Sequence, residues 1–183
     1  MSGTVPGRGV IGVRRVATTE RELAGPIAEV INRAYAPAIS ELWTISFDRV
    51  AEADVVDAIA AGEIVVAELD TRIVGSVRVR RVDTDTSWFG VLAVDPSLAG
   101  VGVARDLLDY IEREALSEGA AYMELDLLIP SDATSHQARL QRWYQRRGYV
   151  EVSRTDFAPS DPAIADGLRS TCVSIVHRKI LAA

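Results

Sequence analysis

The arrangement of this chain is best worked out from the stretch Val91-Leu92-Ala93-Val94-Asp95-Pro96-Ser97-Leu98-Ala99-Gly100-Val101-Gly102-Val103-Ala104-Arg105. Its apolar start predicts a strand, its proline and glycines predict a turn, and the periodic sequence that follows predicts a helix. The first N–H groups of a helix have no partner within the helix, and glycine lets a ligand approach the backbone closely. The stretch therefore predicts an anion site at the positive end of a helix dipole.

The composition is that of one globular domain. A length of 183 residues, with 48% hydrophobic and 25% charged residues, is enough to bury a core. We expect a flexible tail over residues 1–9 and a single domain over residues 10–183. No apolar run approaches the roughly 20 residues that a membrane span needs. Cys172 is the only cysteine, so no intrachain disulfide is expected and a cytoplasmic location is favoured.

The charge balance narrows the choice of partners. The net charge of −6 disfavours nucleic acid, which needs a basic face, and mildly favours cationic or amine-bearing ligands. His136 and His177 do not have the spacing of metal ligands, so we expect no metal. Neither a membrane nor a nucleic acid is expected as a partner, and the chain is expected to be a monomer or a homodimer.

Hydrophobic periodicity predicts alternating helices and strands in a mixed α/β fold. The capping-box pattern Thr19-Glu20-Arg21-Glu22 predicts the start of the first helix, and Pro37 predicts its end. Ser46 is the predicted cap of the second helix, and Gly119 and Gly148 are the predicted ends of the last two. Because the strand before Gly100 and the strand after Gly119 flank one helix, they are expected to be parallel. The predicted strands are residues 10–16, 64–69, 73–82, 87–94, 121–129, 149–157 and 170–179.

Two motifs in this order resemble those of a known family. Val94-Asp95-Pro96 leading into Ala99-Gly100-Val101-Gly102-Val103-Ala104, and later Trp143-Tyr144-Gln145-Arg146-Arg147-Gly148-Tyr149, resemble the GNAT superfamily of acyl-CoA-dependent N-acetyltransferases. The resemblance covers roughly residues 10–180. It implies a central, mostly antiparallel mixed sheet of about seven strands, with helices on both faces and a V-shaped splay between strands 4 and 5.

The resemblance also implies acetyl-CoA as the co-substrate. The backbone of the fourth strand would contact the pantetheine and the acetyl carbonyl, and the glycine turn would hold the pyrophosphate. Ala99 departs from the Gln or Arg that is usual in the family, and Gln137 stands where many relatives have Asn. The implied acetyl-CoA residues are Leu92, Ala93, Val94, Ala99, Gly100, Val101, Gly102, Val103, Ala104 and Gln137.

Catalytic roles follow from the same resemblance. Tyr144 would protonate the departing thiolate, a transfer between groups with free pKa values of about 10 and about 8.5; the alternative is a tyrosine that only packs with Trp143. A carboxylate is needed to bind or deprotonate the amine, and Asp126 is the first hypothesis, with Glu124 as the second. The strand that carries both is expected to be covered on both faces, where an unpaired carboxylate is costly. The alternative for Asp126 is a carboxylate that is solvated at the strand end or paired with an arginine.

Three functions are compatible with these residues. The leading one is direct acetyl transfer to the amine of a small molecule or of a peptide, with Glu41 and Trp43 as candidate acceptor-binding residues. The second is a CoA-binding sensor or interaction module with little activity, which Ala99 keeps open. The third, a dinucleotide-binding oxidoreductase, fits poorly because the third small residue of its glycine motif is missing and the turn does not open the chain.

Overall fold

The computed structural model describes residues 11–131, 135–159 and 162–182. The expected tail over residues 1–9 lies outside the described residues, as does Val10. The secondary structure alternates much as its periodicity predicts, with an additional short helix before the last strand. The elements are β1 (Ile11–Arg15), α1 (Ala24–Leu42), α2 (Glu52–Ala60), β2 (Ile64–Leu69), β3 (Arg72–Arg81), β4 (Thr86–Val94), α3 (Val103–Ser117), β5 (Tyr122–Pro130), α4 (Ser135–Arg146), β6 (Val150–Asp156), α5 (Pro162–Asp166) and β7 (Cys172–Ile180).

The strands form one sheet in the order β1-β2-β3-β4-β5-β7-β6. Each neighbouring pair is antiparallel except β4 and β5, which are parallel. Pairing between β4 and β5 covers three positions, of which the last joins Trp88 to Glu124. Both strands continue beyond that pair, β4 to Val94 and β5 to Pro130. The predicted mixed sheet and the opening between its fourth and fifth strands are confirmed.

Helices cover both faces of the sheet, as expected. On one face α3 packs against β1 to β4, and its Leu107 and Ile111 are completely buried with Met123 of β5. The fit is closest at Gly75 of β3, where an added Cβ would lie 3.0 Å from Leu107 and from Val103. On the other face α1 and α2 cover β2 to β4 with a second apolar cluster. Gly75 thus allows the first turn of α3 to lie directly on the middle of the sheet.

Three predicted helix ends are wrong, and the first of them is overridden by tertiary contacts. Pro37 does not end α1, which continues to Leu42, because Ile39 and Leu42 beyond it are buried against Trp43 and Cys172. That burial compensates for the backbone hydrogen bond that proline removes.

The starts of both N-terminal helices also differ from prediction. The helix α1 begins at Ala24 after a short 3-10 turn, and Glu20 accepts the Ala17 N–H at 2.7 Å while pairing with Arg14. The helix α2 begins at Glu52 instead of after Ser46, and the Asp54 carboxylate accepts the Ala51 N–H at 2.9 Å. In each case a carboxylate three residues further along the chain accepts a hydrogen bond from a backbone N–H that precedes the helix.

Asp95 fixes the turn between β4 and α3. Its carboxylate accepts the Ser97 hydroxyl at 2.7 Å and the Ser97 N–H at 3.0 Å, and it pairs with Arg72 at 3.0 Å and Arg33 at 3.3 Å. These bonds from Ser97, assisted by the two arginines, hold the pKa of Asp95 below its ordinary value although burial opposes them. One buried carboxylate therefore ties the turn to β3 and to α1.

Asp95→Asn should lower the free energy of unfolding by about 1–2 kcal/mol at neutral pH, because half-exposed arginines contribute less than fully buried ones. A carboxylate with a depressed pKa stabilises the fold above its unfolded pKa and loses that contribution as the pH falls. The difference from wild type, measured by urea unfolding, should therefore shrink below about pH 4. Asp57→Asn, at an exposed position of α2, is the control. A difference that is independent of pH would contradict the assignment.

Candidate active site

A bulge in β4 shapes the opening between β4 and β5. Arg78 of β3 pairs with Gly90, whereas Ser76 pairs with Ala93, so β4 carries one residue more than β3 between these pairs. Val91 within the bulge has φ +51°, a backbone conformation that a β-branched residue rarely adopts. Beyond Trp88, β4 has no ladder with β5, so the segment Leu92–Val94 borders the opening.

The glycine turn leads from β4 into α3. Ala99 and Val101 each donate their N–H at 3.2 Å within the turn, to Pro96 and Leu98 respectively. Gly102 caps the helix with φ +105°, and the first helical hydrogen bond runs from the Asp106 N–H to the Gly102 carbonyl at 3.0 Å. The amides of residues 102–105 therefore have no partner within the helix. Of the predicted anion-binding residues, Gly102, Val103 and Ala104 have the available donors, whereas the amides of Ala99 and Val101 stabilise the turn.

Arg105 adds a positive charge to this turn, which the sequence analysis missed. A Cβ built on Gly102 would lie 3.0 Å from Nη2 of Arg105, so the guanidinium lies beside the cap. The side chain also donates to Asp106 at 2.9 Å and 3.0 Å. A cation in the first turn of a helix opposes the helix dipole. An arginine in this unfavourable position, directly after a glycine turn, is the sequence feature that would have marked Arg105 as a candidate site residue.

Tyr144 lies on the α3 face of the sheet, within an aromatic cluster. Its ring centroid is 4.8 Å from that of Trp143, 6.0 Å from that of Phe89 and 5.8 Å from that of Tyr149. Its hydroxyl has no hydrogen bond to the residues that the structure describes. Burial, with a smaller effect of Tyr35, raises the pKa of Tyr144, so the phenol keeps its proton. Gln137 lies two turns earlier on α4 and is buried as well.

A shared carboxylate ties the end of α4 to α3 and β7. Glu112 of α3 accepts the Tyr149 hydroxyl at 2.8 Å and Lys179 at 2.6 Å, and it lies 3.6 Å from Arg147. Arg147 also pairs with Asp109. The helix that carries Tyr144 is thus held to the helix that carries the glycine turn.

The two candidate carboxylates of β5 have different partners. Glu124 is neutralised by Arg178 of β7, with contacts of 2.7 Å and 2.6 Å. Asp126 is exposed, so the expected cover on both faces is wrong at this position. It accepts a hydrogen bond from Nε1 of Trp88 at 2.6 Å. The structure therefore pairs Glu124 with an arginine and leaves Asp126 exposed at the strand end, which was the alternative considered for Asp126.

The two candidate acceptor residues lie at the end of α1. Glu41 is exposed, whereas Trp43 is buried and donates its indole N–H to the Ile164 carbonyl at 3.0 Å. The structure gives Trp43 contacts that fix the segment before β7 and does not bring it to Asp126. Tyr35, which the sequence analysis missed, lies one to two turns earlier on α1 under Arg49, at 5.5 Å from its ring centroid, and it influences the pKa of Tyr144.

The described residues hold neither a membrane-spanning helix nor a metal-binding cluster. No helix in these residues is long and apolar enough to cross a membrane. The same residues contain no group of three or more His, Cys, Asp or Glu side chains arranged to hold a metal.

Comparisons with known proteins agree with this arrangement. The acetyltransferase (GNAT) domain family matches residues 60–151, just over half of the chain. No curated protein matches the sequence at a significant level.

Solved structures share the fold at low sequence identity. The ribosomal-protein-S18-alanine N-acetyltransferase from Escherichia coli has a TM-score of 0.68 at 17% identity, covering 95% of this chain and 96% of its own. The putative acetyltransferase YncA from Salmonella typhimurium, solved with acetyl-CoA, has a TM-score of 0.65 at 17% identity, covering 94% of each chain. An aminoglycoside 6′-acetyltransferase of type Ii has a TM-score of 0.66 at 15% identity, covering 94% of this chain and 98% of its own.

Gly102→Ala should destabilise the protein by about 1–3 kcal/mol, since alanine at φ +105° is strained and its Cβ would press on the Arg105 guanidinium. Thermal or urea unfolding measures the loss. Gly12→Ala is the matched control, because a Cβ there meets nothing within 4 Å. Equal effects of the two substitutions would show that the backbone of the turn is not constrained as described.

Proposed function

The chain belongs to the GNAT acetyltransferase family, and from that premise we propose that it transfers the acetyl group of acetyl-CoA directly to the amine of a small molecule. The observation that carries the proposal is the contact of the Tyr144 ring with Phe89, the β4 residue that follows the last β4–β5 pair, on a strand whose end leads into the N-terminus of α3. The overall charge of −6 favours a cationic acceptor over an anionic one. A cytoplasmic location and the state of assembly stay predictions.

The residues of the glycine turn fit the pyrophosphate of acetyl-CoA. The amides of Gly102, Val103 and Ala104 have no partner within α3, and the guanidinium of Arg105, which is paired with Asp106, lies beside them. A Cβ at Gly100 would meet nothing within 4 Å, so the turn is open on that side. The YncA structure was solved with acetyl-CoA, which supports the same ligand here. The unpaired edge of Leu92–Val94 would receive the pantetheine.

Tyr144 is the proposed proton donor to the departing thiolate. Its raised pKa makes it a weak acid in the free protein, so it donates a hydrogen bond until the thiolate forms. The same burial would penalise a thiolate next to it, which raises the proton affinity of the sulfur. Because burial opposes both anions, Tyr144 stabilises the forming thiolate by a hydrogen bond, and the proton can pass to sulfur only as the carbon–sulfur bond breaks.

Asp126 is the proposed amine-binding group or base. An acceptor amine is protonated near neutral pH and must lose a proton before it attacks the thioester. Asp126 offers an exposed carboxylate near the place where β4 and β5 separate, whereas Glu124 is already bound to Arg178. Glu124 therefore becomes the weaker of the two hypotheses.

The acceptor amine belongs to one of two classes, a peptide or protein amine or the amine of a small molecule. Among the structural neighbours, one is named for a protein N-terminal alanine and another for an aminoglycoside. The exposed Asp126 and the exposed Glu41 favour a small cationic molecule. Ala99 supports the second candidate, a CoA-binding sensor, because it gives the turn no polar side chain at its start.

Tyr144→Phe should lower kcat by about 100-fold or more and leave the Kd for acetyl-CoA nearly unchanged, since only the proton donor is lost. Thiol release should be followed with an alkylamine, an amino sugar, a polyamine and a peptide with an N-terminal alanine. Calorimetry gives the Kd for acetyl-CoA.

Tyr110→Phe is the matched control, because the Tyr110 hydroxyl lies 3.5 Å from Glu114 on α3 and takes no part in the opening. Full activity of Tyr144→Phe would remove it from the chemistry. Tight acetyl-CoA binding without amine-dependent thiol release would favour the sensor.

A further inference from the structure

We propose that Trp88 is a positioning residue that holds the Asp126 carboxylate at the closed end of the opening between β4 and β5, with one oxygen directed to the protonated acceptor amine. The inference rests on the proposed function, whose acceptor side it specifies. It assigns a role to a residue that neither the sequence motifs nor the family match pointed out.

The side chain of Trp88 crosses the gap at the point where the two strands separate. Trp88 and Glu124 form the last pair of the β4–β5 ladder. Asp126 lies two residues further along β5, on the same face as Glu124. The 2.6 Å bond from Nε1 of Trp88 to Oδ2 of Asp126 therefore runs diagonally across the first unpaired position.

The indole is held in this direction from two other sides. Arg80, directly opposite on β3, stacks its guanidinium 4.9 Å from the centroid of the ring. The far edge of the ring lies over Gly90, where an added Cβ would come within 2.3 Å of Cη2. Any side chain at position 90 would displace the ring. The direction of the indole N–H is thus fixed by packing and not by its bond to Asp126 alone.

The chemical nature of the donor explains why the carboxylate stays available. An indole N–H is a neutral donor with a single hydrogen, so it orients Asp126 without cancelling its charge. Oδ2 accepts that bond, and Oδ1 has no partner among the residues that the structure describes. By contrast, the charged arginine beside Glu124 neutralises that carboxylate. The pair of Trp88 and Asp126 therefore suits a substrate that brings its own positive charge, which is a protonated primary amine.

The first test separates binding of the amine from the chemistry. Trp88→Phe keeps a ring over Gly90 but removes the donor, so KM for the best amine of the panel should rise about tenfold, with a smaller change in kcat and an unchanged Kd for acetyl-CoA. Gly90→Ala keeps the donor but displaces the ring, and it should raise the same KM. If both variants still acetylate the amine and its KM is unchanged in both, the positioning role is wrong. The transferase function then stands.

The second test does not depend on turnover. In a proton–nitrogen correlation spectrum, the indole signal that is absent from Trp88→Phe belongs to Trp88, and the signals of Trp43 and Trp143 serve as controls. Asp126→Asn should shift the Trp88 signal and leave the other two in place. Adding millimolar n-butylamine to wild type should also shift it, and should fail to do so in Asp126→Asn.

The two tests fail in different ways. If the panel shows no acetylation but the Trp88 signal responds to Asp126→Asn and to n-butylamine, the transferase function is wrong while the amine site stands. If Asp126→Asn does not shift the indole signal of Trp88, the positioning role is wrong, whatever the acetyltransferase activity. Loss of acetyl-CoA binding together with activity in Trp88→Phe would also overturn it, because that result indicates a structural residue.

Discussion

The short parallel ladder between β4 and β5 is the constraint on which the site depends. Once pairing stops after Trp88 and Glu124, the facing edges of both strands carry backbone groups that need another partner. The bulge with its left-handed Val91 keeps β4 bound to β3 while it turns away from β5. A conformation of this kind persists only where its surroundings hold it in place. The regular β3–β4 pairs on either side, and the buried Asp95 after them, supply that support.

The two sides of the opening are held together by contacts remote from it. Gly75 lets the first turn of α3 lie closely on β3, beside Val94 at the end of β4. Glu112, two and a half turns later on the same helix, binds Tyr149 and Lys179 and thereby locates the end of α4. The distance between the glycine turn and Tyr144 is therefore set by one helix, α3, which touches both.

The sequence patterns predicted those features of the fold that depend on residues close together in the chain. Alternation of apolar side chains located the strands, and the glycines around α3 located its ends. The errors at Thr19 and Ser46 arise from nearby carboxylates, Glu20 and Asp54, that accept the amides of Ala17 and Ala51, whereas the error at Pro37 arises from a contact with distant residues. Ile39 and Leu42 extend α1 beyond its proline because they are buried against Trp43 and Cys172. Trp88 was missed for the same reason, because its partner lies 38 residues away and is brought near only by the β4–β5 pairing.

The contrast between Glu124 and Asp126 shows why a candidate site needs more than the right residue types. Both are carboxylates on one face of one strand, two residues apart, and sequence alone ranks them only by their distance from the opening. Their difference arises from the strands on either side of β5. On one side β7 presents Arg178 directly opposite Glu124. On the other side β4 presents the neutral indole of Trp88 to Asp126. An order of strands in which β7 did not lie next to β5 would leave Glu124 without its arginine. It is the insertion of β7 between β5 and β6 that distinguishes the two carboxylates, because it pairs Glu124 with Arg178 and leaves Asp126 with a neutral donor and an exposed side chain for an incoming ammonium group.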